Sequence, residues 1–537
     1  MQRGEGPESH RESVLADAKS ALSDIDDETV EERLFSFDWP EDWHVVEAYW
    51  VHEPFAHVAL LRNPDSQEVR YHVTEPSMDE FASFVREDVT DRLRTRLLDD
   101  DIDPNAGEAF DDALDHVLER DAALAAPLVR EKVRYYLRRD FRRDAEIDPL
   151  MADPAIEDIS CDGSDVPVYV YHGDYGNVET NVAFDAETLD SLTVKLAQQA
   201  GRHISASRPL VTTTMPAGSR IQVTLGTDVA ARGSNFTIRK FREEPFTPTE
   251  LVEYGTFSVE AMAYLWLAIE HNRSVLYVGP TASGKTTTMN ATTLFIPPDS
   301  KVVSIEETRE VNLPHEDWIA DVTRESDLGS DRPEIGMYHL LSEALHQRPT
   351  HVLVGEIRTD PEVVRTFFQA VGTGHAGFTT FHARSARDVL RRLRHDPLSV
   401  PDELVTDLDV ICVQRMTEVD GEDVRKNRSL TELRSGPRLH EVFGYDTETD
   451  SFSQVAGSEL MLDVAEDAGW SEKRLRTELR ERCRVLRSMV ENGETDYETV
   501  TDRLFQFARD PDRVLDGVEA AVDDRPVRAA DERGDPS

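Results

Sequence analysis

The chain has 537 residues, which at roughly 150 residues per domain is room for several domains with sizeable cores. Its 106 acidic residues against 59 basic ones leave a formal charge of -47, and only eight of the basic residues are lysine. Such a surface suits a salt-rich, halophilic cytoplasm, because at about 1 M salt the Debye length shrinks to roughly 3 Å, and it lacks the dense basic footprint that a nucleic-acid partner requires.

The three cysteines, Cys161, Cys412 and Cys483, are widely spaced and odd in number, so a reduced cytosol is expected rather than a disulfide framework or a zinc cluster. Met1 to Glu12 is polar where a secretory signal needs an apolar stretch. The longest apolar run, Ala261 to Ile269, has nine residues, against the roughly 20 that cross a bilayer. No transmembrane segment is expected, and membrane association is expected to be peripheral, at the cytoplasmic face.

In chain order, residues 1–43 are acid-rich with weak periodicity and read as a mobile arm with one helix. Residues 44–149 open with aromatic and β-branched stretches broken at Arg62-Asn63-Pro64-Asp65, a hairpin pattern. They continue with Leu114, Val117, Leu118, Leu128, Val133 and Leu137 near helical spacing, which predicts one or two amphipathic helices. Residues 150–244 alternate short strands such as Val166 to Tyr171 with a helix over Leu189 to Ala200, the pattern of a small α/β domain. Pro245, Pro248 and Gly255 punctuate a linker over 245–258. From 259 to 441 a helix (Val259 to His271) leads into the apolar strands Ser274–Val278, Val302–Ile305, Val352–Val354 and Gly377–Phe381. None of these alternates, as expected for a parallel sheet buried on both faces of a doubly wound α/β fold. Residues 442–537 read as an acidic tail with helical runs at Glu472–Val490 and Tyr497–Phe507.

Gly279, Pro280, Thr281, Ala282, Ser283, Gly284, Lys285 and Thr286 match G-x-x-x-x-G-K-[ST] between an apolar strand and a helix that continues through Thr287. Backbone N–H groups and a helix N-terminus at this place attract phosphate, Lys285 adds a charge for the β- and γ-phosphates, and the Thr286 hydroxyl suits magnesium. ATP and Mg2+ are therefore expected, and a chance glycine-rich turn does not explain the context. Glu306 ends one strand and is the candidate for orienting or deprotonating water. Glu356 ends another and is the candidate for holding magnesium, directly or through water. Either acid alone reads as a solvated strand-end carboxylate; downstream of this loop the catalytic reading leads.

His375 and His382 flank one strand without the further ligands that zinc needs. Each either senses a γ-phosphate or satisfies a buried carbonyl, and the residues alone leave both open. Residues 201–242 reverse the local charge, with Arg202, Arg208, Arg220, Arg232, Arg239, Lys240 and Arg242 against Asp228 alone. Phosphates of a nucleotide held by an adjoining domain or subunit are the favoured partner, ahead of nearby carboxylates. Arg384, Arg387, Arg391, Arg392 and Arg394 recur on a helix and read as surface ion-pair partners.

Together these residues resemble the secretion-ATPase superfamily that powers type II and type IV secretion, type IV pili and archaella. The resemblance spans about Asp153 to Val413 and is greatest to archaeal, salt-adapted members. It is carried by Ile156 to Gly163, Pro167 to His172, Gly218-Ser219-Arg220, Phe236 to Phe241 and Leu313-Pro314-His315. It implies a RecA-like P-loop ATPase domain after a smaller α/β N-terminal domain, and a homohexameric ring. It also implies N-terminal-domain arginines near the nucleotide, for which Arg220 and Arg239 are the candidates. Glu306 then falls in the acidic box, Glu356 in the Walker B element, and His375 and His382 in the histidine box, with His375 assigned to couple the γ-phosphate to conformation. The implied partners are a polytopic membrane platform protein and, through it, pilin-like subunits. Filament assembly or secretion is the expected role; an archaellum motor is the alternative, followed by a DNA-translocating ATPase or a low-turnover nucleotide-binding scaffold. Two positions depart from the family pattern: Glu307 stands where relatives usually have Asp, and Arg384 where they have Asp.

Overall fold

Strands that alternate buried and half-buried side chains in the first half of the chain give way to fully buried strands in the second, and two different sheets result. The computed structural model describes residues 7–40, 42–104, 107–122, 125–242, 244–324, 333–358, 360–419, 422–434 and 438–518. The chain divides into two units, Met1–Phe241 and Arg242–Ser537.

The first unit begins with α1 (Pro7–Ala21) and α2 (Asp27–Arg33), where an arm with one helix was expected. Asp26 caps α2 by accepting from Thr29 N at 2.9 Å. Val14, Ala18, Val30 and Leu34 are buried in a cluster with Leu128; the dense acids on the solvent side had hidden this apolar face. The strands β1 (His44–His52), β2 (Ala56–Arg62) and β3 (Val69–Thr74) follow, and then a bundle of three helices, α3 (Glu80–Asp99), α4 (Glu108–Asp121) and α5 (Pro127–Arg142), around their own core. After the short α6 (Asp148–Ala152) come β4 (Ile156–Cys161), β5 (Pro167–His172), β6 (Gly176–Ala183), α7 (Ala186–Gln199), β7 (Leu210–Thr214), β8 (Arg220–Thr224) and β9 (Asn235–Arg239).

The sheet order is β1-β2-β3-β6-β5-β4-β9-β8-β7. β3 joins β6 through Arg70↔Glu179 and Tyr71↔Thr180, so segments expected as two domains share one sheet. Asp153 fastens the junction by accepting from Tyr49 at 2.7 Å and Tyr71 at 2.6 Å.

The second unit runs α8 (Pro248–Glu253), α9 (Val259–Glu270), β10 (Val275–Val278), α10 (Lys285–Thr293), β11 (Val302–Glu306), β12 (Trp318–Val322), α11 (Met337–His346), β13 (His351–Glu356), α12 (Pro361–Gly372), β14 (Ala376–Phe381), α13 (Ala386–Arg394) and α14 (Asp402–Val405). A long antiparallel meander follows, β15 (Val410–Val419), β16 (Glu422–Arg434), β17 (Arg438–Asp446) and β18 (Ser451–Gln454), and then α15 (Glu459–Asp467), α16 (Glu472–Glu491), α17 (Tyr497–Arg509) and α18 (Pro511–Asp516). The order β12-β11-β13-β14-β10-β15-β16-β17-β18 puts β10 between β14 and β15, all three parallel.

Successive residues of the parallel strands enter opposite cores. Val275, Tyr277, Val302, Leu353 and Cys412 face one cluster, while Leu276, Val278, Val303, Val352 and Ile411 face the other. This two-sided burial is why the strands lack alternation in sequence.

The helices expected as a C-terminal tail pack into the first of these cores. Leu475, Leu479, Cys483, Leu486 and Met489 form an apolar stripe on α16 and join the cluster that holds α9. Trp266 of α9 stacks on Phe295 at 5.2 Å and meets Phe507 of α17 edge-on at 4.9 Å. Arg482, buried here, pairs with Glu270 and Glu478 at 2.7 Å each. The part of the tail past Val518 lies outside the described residues.

Candidate functional site

The G-x-x-x-x-G-K-[ST] motif occupies the turn from β10 into α10, at the edge where the parallel strands end. Open α/β sheets bind ligands at that edge because the loops there splay apart and helix N-termini point their N–H groups at the gap. Gly279 has no room for a side chain: a Cβ there would meet the Ser283 hydroxyl and lie 2.6 Å from the Gln414 carbonyl. Gly284 takes a left-handed conformation at φ +84°, and Ala282 does so at φ +62°, a geometry costing about 1–2 kcal/mol for a residue with a Cβ. Ser283 Oγ donates to the Pro280 carbonyl at 2.8 Å, and Lys285 Nζ donates to the same oxygen at 2.9 Å. Thr286 and Thr287 are half-buried in the first turn of α10.

A line of polar contacts leads from this loop to the next strand ends. Lys285 Nζ lies 3.5 Å from His382 Nδ1, the outer limit of a hydrogen bond. His382 Nε2 lies 2.8 Å from Glu356 Oε1, and Arg358 Nε donates to Glu356 Oε2 at 2.6 Å. Arg358 also reaches Glu307 Oε2 at 3.2 Å, bridging the ends of β11 and β13. Glu307 is long enough to reach a guanidinium here, a contact that sequence reasoning had not anticipated.

Glu306, the last residue of β11, is 2 % exposed. Its Oε1 accepts from Glu310 N at 2.9 Å and Val311 N at 3.0 Å. Its Oε2 is buried and without a partner among the described residues. Burial pushes its pKa up to about 7, against the opposing pull of those two N–H donors. A carboxyl with that pKa and one free buried oxygen is equipped to accept a proton near neutral pH. Gly355 makes the packing possible, since a Cβ there would stand 3.3 Å from Glu306 Cγ.

His375 is not part of this arrangement, which corrects the expectation that it touches the γ-phosphate. It precedes β14, whereas His382 follows it, and six strand residues at about 3.3 Å each separate the two edges by roughly 20 Å. His375 Nδ1 sits 3.0 Å from the Ala370 carbonyl at the C-terminus of α12, so the carbonyl-satisfying role applies to it.

The basic segment divides as well. Lys240 is half-buried and donates to the Leu150 carbonyl at 3.3 Å and to the Asp153 carbonyl, with desolvation lowering its pKa to about 8. Arg242 pairs with Glu250 at 3.4 Å over the Phe246 ring. Arg220 and Arg239 stand opposite each other on β8 and β9, and among the described residues neither makes an ion pair. On α13, Arg392 pairs with Asp388 at 3.3 Å and Arg394 with Asp402 at 2.7 Å, the surface ion pairs expected there.

Magnesium prefers hard oxygen donors and keeps part of its shell for phosphate oxygens and water. The Thr286 hydroxyl and the Glu356 carboxylate fit that donor set. Among the described residues no group of three or more His, Cys, Asp or Glu is placed to hold a metal.

A family model described as type II/IV secretion system protein matches residues 143–496, and one described as PilB3-like, N-terminal, matches residues 12–77. The uncharacterized protein MJ0900 of Methanocaldococcus jannaschii is 37% identical over 392 residues, covering 71% of this chain and 70% of its own length. The uncharacterized protein MJ1287 of the same organism is 41% identical over 266 residues, 48% of this chain and 97% of its own. The type IV secretion system protein PtlH of Bordetella pertussis is 28% identical over 239 residues, 40% of this chain and 70% of its own.

Proposed function

The chain belongs to the type II/IV secretion system protein family, and on that premise we propose that it is an ATP-hydrolysing motor. It drives assembly of a type IV pilus-like filament, or export of pilin-like subunits, through a membrane platform protein. The observation that carries the catalytic half is the contact line Lys285–His382–Glu356 at the C-terminal edge of the parallel strands, beside a buried Glu306 with a free oxygen. The kinship with PtlH and the PilB3-like match over 12–77 support the secretion and filament half.

In this reading the N–H groups of residues 281–287 receive the phosphates and Lys285 draws the β- and γ-phosphates together. Glu306 takes a proton from the attacking water on its free oxygen and returns it as phosphate leaves. Thr286 and Glu356 would hold Mg2+, directly or through water, and the ion would neutralise charge on the phosphates. His382, tied to Glu356, takes the γ-phosphate contact for which His375 is misplaced. Arg220 and Arg239 stabilise charge at a nucleotide bound by a neighbouring subunit of a homohexamer. The ring works at the cytoplasmic face of the membrane as a peripheral protein.

The biochemical test is hydrolysis of Mg-ATP by the purified chain in molar salt. The cellular test is deletion of the gene. Loss of filaments with intact swimming supports this reading; lost swimming with intact filaments overturns it in favour of a rotary motor.

A further inference from the structure

Arg425 on β16 lies 143 residues from the phosphate-binding loop in sequence, yet its Nε donates to the Ala282 carbonyl at 3.2 Å. Its Cδ would stand 3.5 Å from a Cβ on Gly284, so the side chain lies against the left-handed part of the loop. The strand beneath it is held firmly. Asn427 N donates to the Thr256 carbonyl at 2.8 Å, and Asn427 Nδ2 to the Val413 carbonyl at 3.2 Å. Lys426 is buried and pairs with Asp450 at 3.3 Å. β16 is also registered to β15 through Arg425↔Met416 and Asn427↔Gln414, and the Gln414 carbonyl is the one crowding Gly279.

In a trans peptide the C=O and the following N–H point in opposite directions. A guanidinium that grips the Ala282 carbonyl therefore fixes the direction of the Ser283 N–H, and such N–H groups are what a phosphate-binding loop offers to its anion. Ala282 is also the loop residue whose backbone pays a steric penalty for its left-handed conformation. A charge-assisted hydrogen bond to its own carbonyl helps hold it there.

We propose that Arg425 is a positioning residue for the phosphate-binding loop, supplied in cis by the β15–β16 hairpin, which keeps the Ala282–Ser283 peptide oriented for nucleotide phosphates. The inference rests on the nucleotide-site reading given above. It makes the hairpin part of the binding apparatus, so that movement of β16 and affinity for nucleotide are linked.

The experiment compares wild type, Arg425→Gln, Arg425→Lys and Lys285→Ala by titration with a fluorescent ADP, by KM and kcat for ATP, and by thermal unfolding. Arg425→Gln is expected to weaken ADP binding and raise KM by about tenfold, the size of one charge-assisted hydrogen bond. Its kcat should stay within about twofold, as for an interaction used equally in the ground and transition states, with Tm unchanged and Arg425→Lys recovering part of the loss. ADP binding by Arg425→Gln equal to wild type overturns the proposal. So does a fall in kcat at constant KM, or a Tm that falls in step with affinity. If wild type binds no ADP, the nucleotide-site reading itself fails; if Lys285→Ala loses binding while Arg425→Gln keeps it, only the role of Arg425 fails.

Discussion

At the edge where the parallel strands of the second unit end, Lys285, His382 and Glu356 form a line of contacts from the turn that opens α10, and Glu306 ends β11 at the same edge. At the edge where they begin, His271, Arg273, His375, Asp407 and Asp409 line a cavity of about 590 Å³. By titratable residues alone, the second edge is inviting too. Three of its groups, however, are tied into the scaffold. Arg273 pairs with Asp467, Asp409 accepts from Ser274 N at 2.7 Å, and His375 serves a helix-end carbonyl. Burial raises the Asp409 pKa to about 6, but its N–H partner comes from its own scaffold. At the other edge Glu306 keeps a buried oxygen unpartnered among the described residues. Strand direction, which fixes where helix N-termini and their N–H groups lie, separates the two edges better than charge density does.

The sharpest break of this comparison is Lys285→Ala, which should lower ATP hydrolysis by about 10³-fold through loss of preorganised charge at the phosphates, with Tm within a few degrees of wild type. Steady-state phosphate release and calorimetry measure both. The opposite signature belongs to Arg482, which is buried against Trp266 and Phe507 and pairs with Glu270 behind the second edge. Arg482→Ala leaves Glu270 without its cation and Glu478 with Arg474 alone, and should cost about 3–5 kcal/mol of stability, read by denaturant unfolding. The fraction that remains folded should turn over at the normal rate.

Glu306→Gln should keep nucleotide bound and slow turnover by about 10²-fold. Its ionisation also gives two pH signatures. Hydrolysis should rise as pH passes upward through about 7, when the carboxylate forms. Stability should move the other way. The folded protein holds this proton more tightly than the unfolded chain, so the contribution is complete below about 4.5 and is lost as pH climbs to about 7. By linkage the loss is of order 3 kcal/mol, and it appears as the difference in pH slope between wild type and Glu306→Gln. Parallel slopes for the two proteins would remove Glu306 from the account.

Much of the first edge was legible in the sequence because its signals are local: a glycine pattern after an apolar strand, and acids immediately after two more. The choice between His375 and His382 was legible as well, since the expected parallel sheet already puts the residue after the strand, His382, at the edge of the loop; the family resemblance had put the role on His375 instead. Arg425 gave no local signal at all, as its link to Ala282 exists only through the β15–β16 pairing. The C-terminal helices were read as a charged tail because Glu472 to Glu491 is dense in Glu and Arg, and the single apolar stripe that docks on the α9 core is outnumbered by them. The acidic N-terminal segment concealed α1 and α2 for the same reason.

The most direct measurement of which edge does the chemistry uses the two histidines that bracket β14, with kcat at saturating Mg-ATP determined side by side for His382→Ala and His375→Ala. His382→Ala loses a partner of Glu356 and a group beside Lys285, and should turn over about tenfold slower, the worth of one hydrogen bond to a charged group. His375→Ala gives up a bond to the Ala370 carbonyl; its kcat should stay within about twofold of wild type while its stability falls by about 1 kcal/mol. The reverse ranking, with His375→Ala slowed and His382→Ala unaffected, would contradict the assignment of catalysis to the edge where the strands end.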